Sequence, residues 1–329
     1  MLIAPVSGAL ASSLDSINQL IVFGDSLSDN GNASILTLGA QPGPNYATRS
    51  YTGIPFPVGY FTDGTNTSPS TSAPTGLWID QFASKLNLTD PTPVVVGGTN
   101  YAVASAKTGT SSAIDMGNQI ATFTATHLTG APSTALYTLW GGADDIDHGQ
   151  SPIAAADHIY SYILTLSGDG GKHFLWPNLP LLGDTPAGMT SGFSTALNVA
   201  SIAFNTEWGV DLSKLHAQGV SVVGVDIGSL FSALTANPSA YGFTNVTTGA
   251  QGLSNVNPND YLFWDDLHPT TAADALIAEQ AFNDLAGVPE PFSIGLLLAG
   301  FCGILVMQRL RRRDPKTDRS RPTERRSAS

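Results

Sequence analysis

The chain has 329 residues, a single cysteine and a formal net charge of −12 at pH 7, and 42% of its residues are hydrophobic. A chain of this length and apolar content can bury a sizeable core, in one large domain or two small ones. With one cysteine, the chain can form neither an internal disulfide nor a zinc site of the cysteine type. An acidic protein repels phosphate backbones, so nucleic acid is not expected as a partner.

The N-terminal segment 1–18 begins MLIAPVSGALASSLDS, which combines an apolar stretch with small residues around Ala9–Ala11. An apolar stretch before small residues is typical of a signal peptide, although the basic start of such a peptide is missing. The segment is therefore predicted to be a truncated signal peptide, with a disordered N-terminus as the alternative.

Strand and helix patterns then alternate along residues 19–286. Short apolar runs predict strands at 19–23, 92–96, 134–140, 172–178 and 220–226. Helical spacing predicts helices at 78–86, 113–128, 152–166, 192–217 and 270–285. The polar segments 39–76 and 237–260 are predicted to be loops. This alternation indicates one three-layer α/β/α domain around a parallel sheet, with active residues just past the carboxyl ends of the strands.

A serine follows the first predicted strand directly, in FGDSLSDNGN at 23–32. A serine in that turn exposes its hydroxyl, but it needs a general base and a group that orients the base. FWDDLHPT at 263–270 supplies both, because Asp265 and His268 are three residues apart on a turn before the last helix. The sequence thus predicts a triad of Ser26, His268 and Asp265, while Asp25, Asp29 and Asn30 are expected to hydrogen-bond the nucleophile turn.

These two motifs resemble the first and last blocks of the GDSL, or SGNH, hydrolase family, over roughly residues 19–285. GTNYAVASA at 98–106 resembles the second block, with Ser105 where a glycine N–H serves the oxyanion hole; YFTDG at 60–64 also resembles the family. The resemblance implies a flavodoxin-like fold and a serine esterase or lipase that needs no cofactor. It also implies an oxyanion hole formed by Ser26, Ser105 and residue 144, and lipid esters or acetylated polysaccharide as substrates.

The stretch LWGGADDI at 139–146 departs from the third block of that family, Gly-x-Asn-Asp, because Asp144 replaces the asparagine. An ionised carboxylate only accepts hydrogen bonds, and loss of one oxyanion donor costs roughly 2.7–4 kcal/mol. A desolvated carboxyl beside Asp145 could instead stay protonated and donate. Two hypotheses follow: an esterase with reduced activity, and a catalytically impaired surface or matrix binding protein.

Metal binding is not expected from the sequence. The polar residues that follow this stretch offer ligand atoms but no second set at a recognisable spacing, so they are interpreted as a solvated turn: Asp144, Asp145, Asp147 and His148.

The C-terminal end carries a targeting pattern. VPEP at 288–291 precedes sixteen uncharged residues at 292–307, and an arginine cluster at 309–313 follows. This predicts a transmembrane helix with residues 1–288 outside the membrane; a buried core helix is the alternative.

The order of the three parts resembles the PEP-CTERM sorting signal of bacteria, at 287–313. That resemblance implies export, an exosortase-type processing enzyme as partner and transient anchoring in the inner membrane before release to the cell surface or outside. Residues 314–329 are predicted to be a disordered basic tail.

Overall fold

The structure is a computed structural model that describes residues 16–63 and 76–287. Most of the predicted signal segment, the PEP-CTERM segment and the basic tail lie outside these residues. Within the two described ranges, no helix combines the length and apolar character needed to cross a bilayer. The transmembrane helix predicted at 292–307 lies outside the described residues.

A parallel sheet forms the centre of the domain. The described residues contain eight strands: β1 (Gln19–Gly24), β2 (Tyr46–Arg49), β3 (Val58–Asp63), β4 (Ala135–Trp140), β5 (His173–Pro177), β6 (Val222–Val225), β7 (Asn245–Gly249) and β8 (Tyr261–Phe263). The central sheet has the order β1-β4-β5-β6, and all its pairs are parallel. Every residue of β4 is buried, so both faces of the sheet are covered, as parallel sheets require.

Helices provide that cover in two groups. The described residues form nine α-helices: α1 (Asn32–Leu36), α2 (Trp78–Lys85), α3 (Met116–Thr126), α4 (Ala143–Asp147), α5 (Pro152–Gly168), α6 (Pro186–Thr190), α7 (Ser194–Ala217), α8 (Ile227–Ala236) and α9 (Thr271–Ala286). Helices α5 and α7 pack against each other, and α2 packs against α9. Helix α7 also contacts β6 from one group, and α9 contacts it from the other. The expected α/β fold with a parallel central sheet is confirmed.

The strand predicted at 92–96 is wrong. Val94–Val96 form a single turn of 3₁₀-helix that Gly97 ends in the left-handed region, at φ 86°. The neighbour of β1 on this side is the irregular segment 99–103, whose Tyr101 N–H donates to the Val22 carbonyl at 2.8 Å. The three valines form an apolar run without turn residues inside it. Pro93 before the run and the glycine after it instead fold the backbone into a turn, so the run does not pair with a strand.

The two segments predicted to be loops also contain strands. The described part of 39–76 contains an antiparallel pair of β2 and β3, in which Ala47, Val58 and Tyr60 are buried. Segment 237–260 contains β7, which pairs in parallel with β8. Helices α1, α4, α6 and α8 were not predicted; three of them have only five residues, too short to show a period.

The strand order reverses beside β1, and this reversal positions the site. Segment 99–103 lies on one side of β1 and β4 on the other. In open α/β sheets the crevice outside the carboxyl ends of two such strands is where ligands bind. The strands come unusually close here, since a Cβ on Gly24 would lie 2.3 Å from the carbonyl oxygen of Trp140. Ser26 follows β1 and Asp144 follows β4, so both residues reach this crevice.

Candidate active site

The structure brings together the three residues of the predicted triad. His268 Nε2 lies 2.8 Å from Ser26 Oγ, and His268 Nδ1 lies 2.7 Å from Asp265 Oδ2. Ser26 and His268 are buried, and 242 residues of sequence separate them. The arrangement is that of a serine whose proton can pass to an imidazole that a carboxylate orients.

Three further hydrogen bonds hold the Asp265 carboxylate. The backbone N–H groups of Leu267 and His268 donate to Oδ1 at 2.8 and 2.6 Å, and the Tyr46 hydroxyl donates to Oδ2 at 2.7 Å. Burial raises the pKa of Asp265, but the His268 charge and the hydrogen bonds from His268 and Tyr46 outweigh it and hold the pKa well below its usual range. The carboxylate is therefore ionised and oriented before any substrate arrives.

Two aromatic residues of the β2–β3 hairpin complete the surroundings of the triad. The Phe61 ring lies 4.8 Å from the His268 ring, centroid to centroid, at 38°. Tyr46 stands on the opposite strand of the same hairpin and contacts Phe61 edge to face. Sequence reasoning did not assign either role. Phe61 lies in the YFTDG motif that resembles the family, whereas Tyr46 lies in a segment without any pattern that could single it out.

Asp29 organises the nucleophile turn, as expected. Its carboxylate accepts the backbone N–H groups of Gly31, Asn32 and Ala33 at the start of α1, at 2.6–2.9 Å. It also accepts the N–H of Ala104 at 2.8 Å, which ties the turn to segment 98–106. Burial raises the pKa of Asp29 to about 6, although these four hydrogen bonds act in the opposite direction.

Ser105 keeps the backbone shape that the family's glycine would have. Its φ is +64°, in the left-handed region that favours glycine. Ser105 is exposed, and the preceding Ala104 is anchored to Asp29. Among the described residues no hydrogen-bond acceptor engages the Ser105 N–H. A backbone donor is thus retained in the second block despite the missing glycine.

Asp144 faces the same crevice with a free carboxyl. It is half-buried near the start of α4, and no hydrogen bond reaches its carboxyl group from the rest of the described chain. Burial raises the pKa of Asp144 to about 6, against the opposing charges of His148 and His268. The group therefore changes its charge, and its capacity to donate, within the neutral range.

Asp25 lies beside the nucleophile and is the more deeply buried of the two carboxyls. Its Oδ1 accepts the Leu27 N–H at 3.0 Å, but Oδ2 is buried without a partner in the described ranges. Burial, and next the charge of Asp144, raise the pKa of Asp25 well above its usual range. Burial and a neighbouring negative charge both disfavour ionisation, so Asp25 retains a proton that an isolated surface aspartate would lose.

Asp145, in contrast, has a structural role. Its two carboxylate oxygens accept the N–H and hydroxyl of Thr108, both at 2.8 Å, and the Thr108 hydroxyl also contacts His158 Nδ1. His158 on α5 thus helps to hold the loop after segment 98–106. Asp145 does not line the cavity beside Ser26.

A cavity of about 240 Å³ opens beside Ser26 and His268. Most of its wall is apolar, and part of that wall is buried. The apolar wall includes Leu27, Trp140, Leu182, Leu197, Phe231 and Phe263. An aliphatic acyl group placed there is removed from water with its carbonyl next to the nucleophile, at roughly 0.8 kcal/mol for each buried methylene.

One acidic group outside the cavity has the spacing of a cation site within the part of the chain that the structure describes. It consists of Asp157 on α5 with Glu207 and Asp211 on α7. The Lys214 ammonium already donates to Asp211 at 2.7 Å and to Glu207 at 3.2 Å. The lysine thus neutralises much of this cluster, which shares no residue with the crevice.

The Tyr46 hydroxyl is a positioning group, because it acts on the triad through Asp265. We expect Tyr46→Phe to lower kcat about tenfold with KM little changed, since one hydrogen bond to a charged group is lost while Tyr46 does not line the cavity. Steady-state kinetics on p-nitrophenyl butyrate measure both constants. Tyr160→Phe is the matched control, because that hydroxyl accepts only from Gln218 on the surface. An unchanged kcat in Tyr46→Phe would contradict the assigned role.

The sequence of this chain is similar to a known protein family and to several known proteins. The family described as "GDSL-like Lipase/Acylhydrolase" matches residues 20–281. A thermolabile hemolysin of Vibrio parahaemolyticus is 25% identical over 83% of this chain and 65% of its own length. A GDSL esterase/lipase of Arabidopsis thaliana is 25% identical over 84% of each chain.

Two further similarities have lower coverage or lower identity. Esterase EstA of Pseudomonas aeruginosa is 25% identical over 90% of this chain, which spans half of EstA. Among solved structures, the carbohydrate acetylesterase Est24 of Sinorhizobium meliloti aligns with a TM-score of 0.45 at 13% identity, over 83% of this chain and all of that one.

Proposed function

Because the chain belongs to the GDSL-like lipase/acylhydrolase family and is an ester-bond hydrolase, we propose that it is a serine esterase that works through a covalent acyl-enzyme. The single observation that carries this proposal is the unbroken chain of hydrogen bonds from Ser26 Oγ through His268 to Asp265. An activated serine nucleophile requires such a series of hydrogen bonds, whereas a serine with only a structural role does not.

The proposed reaction has two half-reactions. Ser26 Oγ attacks the ester carbonyl while His268 Nε2 takes its proton, and the carbonyl electrons move onto oxygen. When the tetrahedral intermediate collapses, His268 gives the proton to the leaving alcohol and the acyl group stays on Ser26. Water then attacks the acyl-enzyme by the same route, and the acid is released. Asp265 stabilises the imidazolium throughout, and no cofactor takes part.

The developing oxyanion needs donors that are already in place. The proposed donors are the backbone N–H groups of Ser26 and Ser105, with Asp144 in the third position. The left-handed backbone of Ser105 and the tie from Ala104 to Asp29 support the second donor. Asp144 donates only while its carboxyl is protonated.

Esters with an apolar acyl group are the proposed substrates, in lipids or on acylated polysaccharide. The apolar wall of the cavity supports the acyl part of this proposal. The names of the plant and Pseudomonas relatives, an esterase/lipase and an esterase, agree with ester cleavage.

The experiment that tests the activity is hydrolysis of p-nitrophenyl acetate and butyrate, combined with a fluorophosphonate probe. We expect turnover of both esters and stoichiometric labelling, with the label found on Ser26 by mass spectrometry of the digested protein. Absence of both turnover and labelling across the pH range would favour the alternative candidate, an impaired surface or matrix binding protein, for which the aspartate at position 144 is the motivating observation.

We further propose that the protein is exported and sorted through its C-terminal segment. The order of VPEP, the uncharged residues 292–307 and the arginines from 309 supports this proposal. Fractionation of bacteria that have an exosortase is expected to find the domain outside the inner membrane. Deletion of 288–313 should abolish processing and membrane retention. Recovery of the intact chain from the cytoplasm would contradict export.

A further inference from the structure

The crevice beside Ser26 is surrounded by carboxyl groups as well as by apolar side chains. Four aspartates line the cavity: Asp25, Asp144, Asp147 and Asp266. Among the lining residues that the structure describes there is neither lysine nor arginine, and His268 is the one that can carry positive charge. Of the five basic side chains in the described ranges, Arg49, Lys85 and Lys214 form ion pairs elsewhere, with Asp80, Glu279 and Asp211. The other two, Lys107 and Lys172, do not line the cavity. No lysine or arginine of the described chain therefore stands among the lining residues beside the exposed Asp147 and Asp266.

These carboxyl groups are arranged by depth. Asp25 is 1% exposed and has a buried oxygen without a partner among the described residues. Asp144 is half-buried, whereas Asp147 and Asp266 are exposed. The deepest part of the apolar wall is buried, with Trp140 at 1% and Phe263 at 2% exposure, whereas Leu267 at the rim is 39% exposed. An ester that places its acyl chain against the buried wall therefore has its alcohol part facing the acidic rim.

The spacing of the four groups suits an organic cation better than a metal ion. A metal needs several ligand atoms converging on one point. Within the described residues the only group of three or more ligand atoms lying within 4.8 Å of one another is Asp157, Glu207 and Asp211. No three carboxyl groups of the cavity come that close in the described residues, and the volume of about 240 Å³ that they line has room for an alkylammonium group.

We propose that the cavity selects esters by the charge of their alcohol. Esters of alkylammonium alcohols have a higher kcat/KM than esters of neutral alcohols, and these have a higher kcat/KM than esters of anionic alcohols. This inference rests on the proposed esterase function and names its substrate class. A cleft lined with one sign of charge raises the local concentration of the opposite charge and repels its own. The exposed Asp147 and Asp266 exert this effect on the alcohol, while the buried wall holds the acyl chain regardless of charge.

The test compares three butyrate esters that share their acyl group. They are butyrylcholine, its uncharged carbon isostere dimethylbutyl butyrate, and the anionic O-butyrylglycolate. We expect kcat/KM for the choline ester to exceed that for its isostere by about tenfold or more at low salt, with the anionic ester slowest. The preference should shrink between about 0.01 M and 1 M salt, because the screening length falls from about 30 Å to 3 Å.

Variants locate the source of the preference. Asp147→Asn and Asp266→Asn are each expected to lower the ratio of the choline ester to its isostere, and the double variant more so. Asp169→Asn is the charge-matched control. Asp169 is exposed, and its carbonyl accepts the Ala131 N–H before β4 begins, at the end of the sheet opposite the crevice. The ratio in that variant should equal the wild-type ratio.

The outcomes separate this inference from the function on which it rests. Ser26-dependent turnover of all three esters at similar rates, unaffected by the two rim variants, overturns charge selection and leaves the esterase in place. A preference for the anionic ester overturns it as well. Turnover of none of the three, together with no labelling of Ser26, overturns both.

Discussion

Ser26→Ala is expected to lower kcat for p-nitrophenyl butyrate by roughly 10⁴–10⁶-fold, because removal of the nucleophile of a triad removes the acyl-enzyme route itself. The hydroxyl that is lost is the one lying 2.8 Å from His268 Nε2. Steady-state assays with burst-phase detection measure the effect, since only an acylating enzyme releases nitrophenol ahead of the slow step.

The control for this variant is Ser213→Ala on α7, where an exposed hydroxyl donates only to the Gly209 carbonyl. It should retain wild-type turnover and labelling. Because Ser26 is buried against His268, the thermal stability of Ser26→Ala is measured alongside, so that unfolding is not mistaken for lost chemistry. Folded Ser26→Ala with wild-type turnover would remove Ser26 from the mechanism.

Asp144→Asn is expected to raise kcat on the same ester by about tenfold at about pH 7 and about 100-fold at about pH 8. With a pKa of about 6, only about one Asp144 carboxyl in a hundred is protonated at the higher pH, whereas an asparagine amide donates at every pH. The gain is bounded by the value of one oxyanion donor, about 10²–10³ in rate.

The sign of this pH dependence is the sharpest test of the role of Asp144. The pKa of this carboxyl is raised by burial, so its neutral, donating form persists below about pH 6 and is lost as the pH rises through that value. The ratio of Asp144→Asn to wild type should therefore approach one at low pH and grow above it. A ratio that is flat across pH, or a wild type faster than the variant at about pH 8, would falsify the proposed donor.

Asp144→Ala separates the two consequences of the substitution. It removes the negative charge but supplies no donor, so a gain in this variant as large as that in Asp144→Asn assigns the effect to charge alone. If Asp144→Asn is active and wild type is inactive at every pH, the natural chain is the impaired binding protein of the alternative hypothesis. The pKa of about 6 for Asp144 makes a wild type that is active below this pH and weaker above it the expected result.

The sequence alone determined those features whose cause lies within a few neighbouring residues. Asp265 and His268 are three residues apart, so their hydrogen bond closes inside one turn and the motif alone predicted it. The central strands followed from short apolar runs, because a strand of a covered parallel sheet is buried on both faces. The long helices followed from their helical spacing. Ser26 follows the buried strand β1, and in open α/β sheets ligands bind just outside the carboxyl ends of the strands.

Tertiary structure decided the features that depend on distant partners. The run of valines at 94–96 has strand propensity, but the place beside β1 is taken by 99–103, whose backbone groups pair with Val22 and Gly24. Tyr46 reaches Asp265 across 219 residues, and nothing local in its segment indicates that contact.

The charge state of Asp144 is the clearest case of this kind. The sequence showed that a carboxyl replaces an amide there, and posed the question of whether the carboxyl is protonated. The answer depends first on how much water the fold removes from it, and then on the charges that the fold places around it, among them His268 from the other end of the domain. Desolvation and the interaction between charges are properties of the assembled crevice, and so only the folded chain determines them.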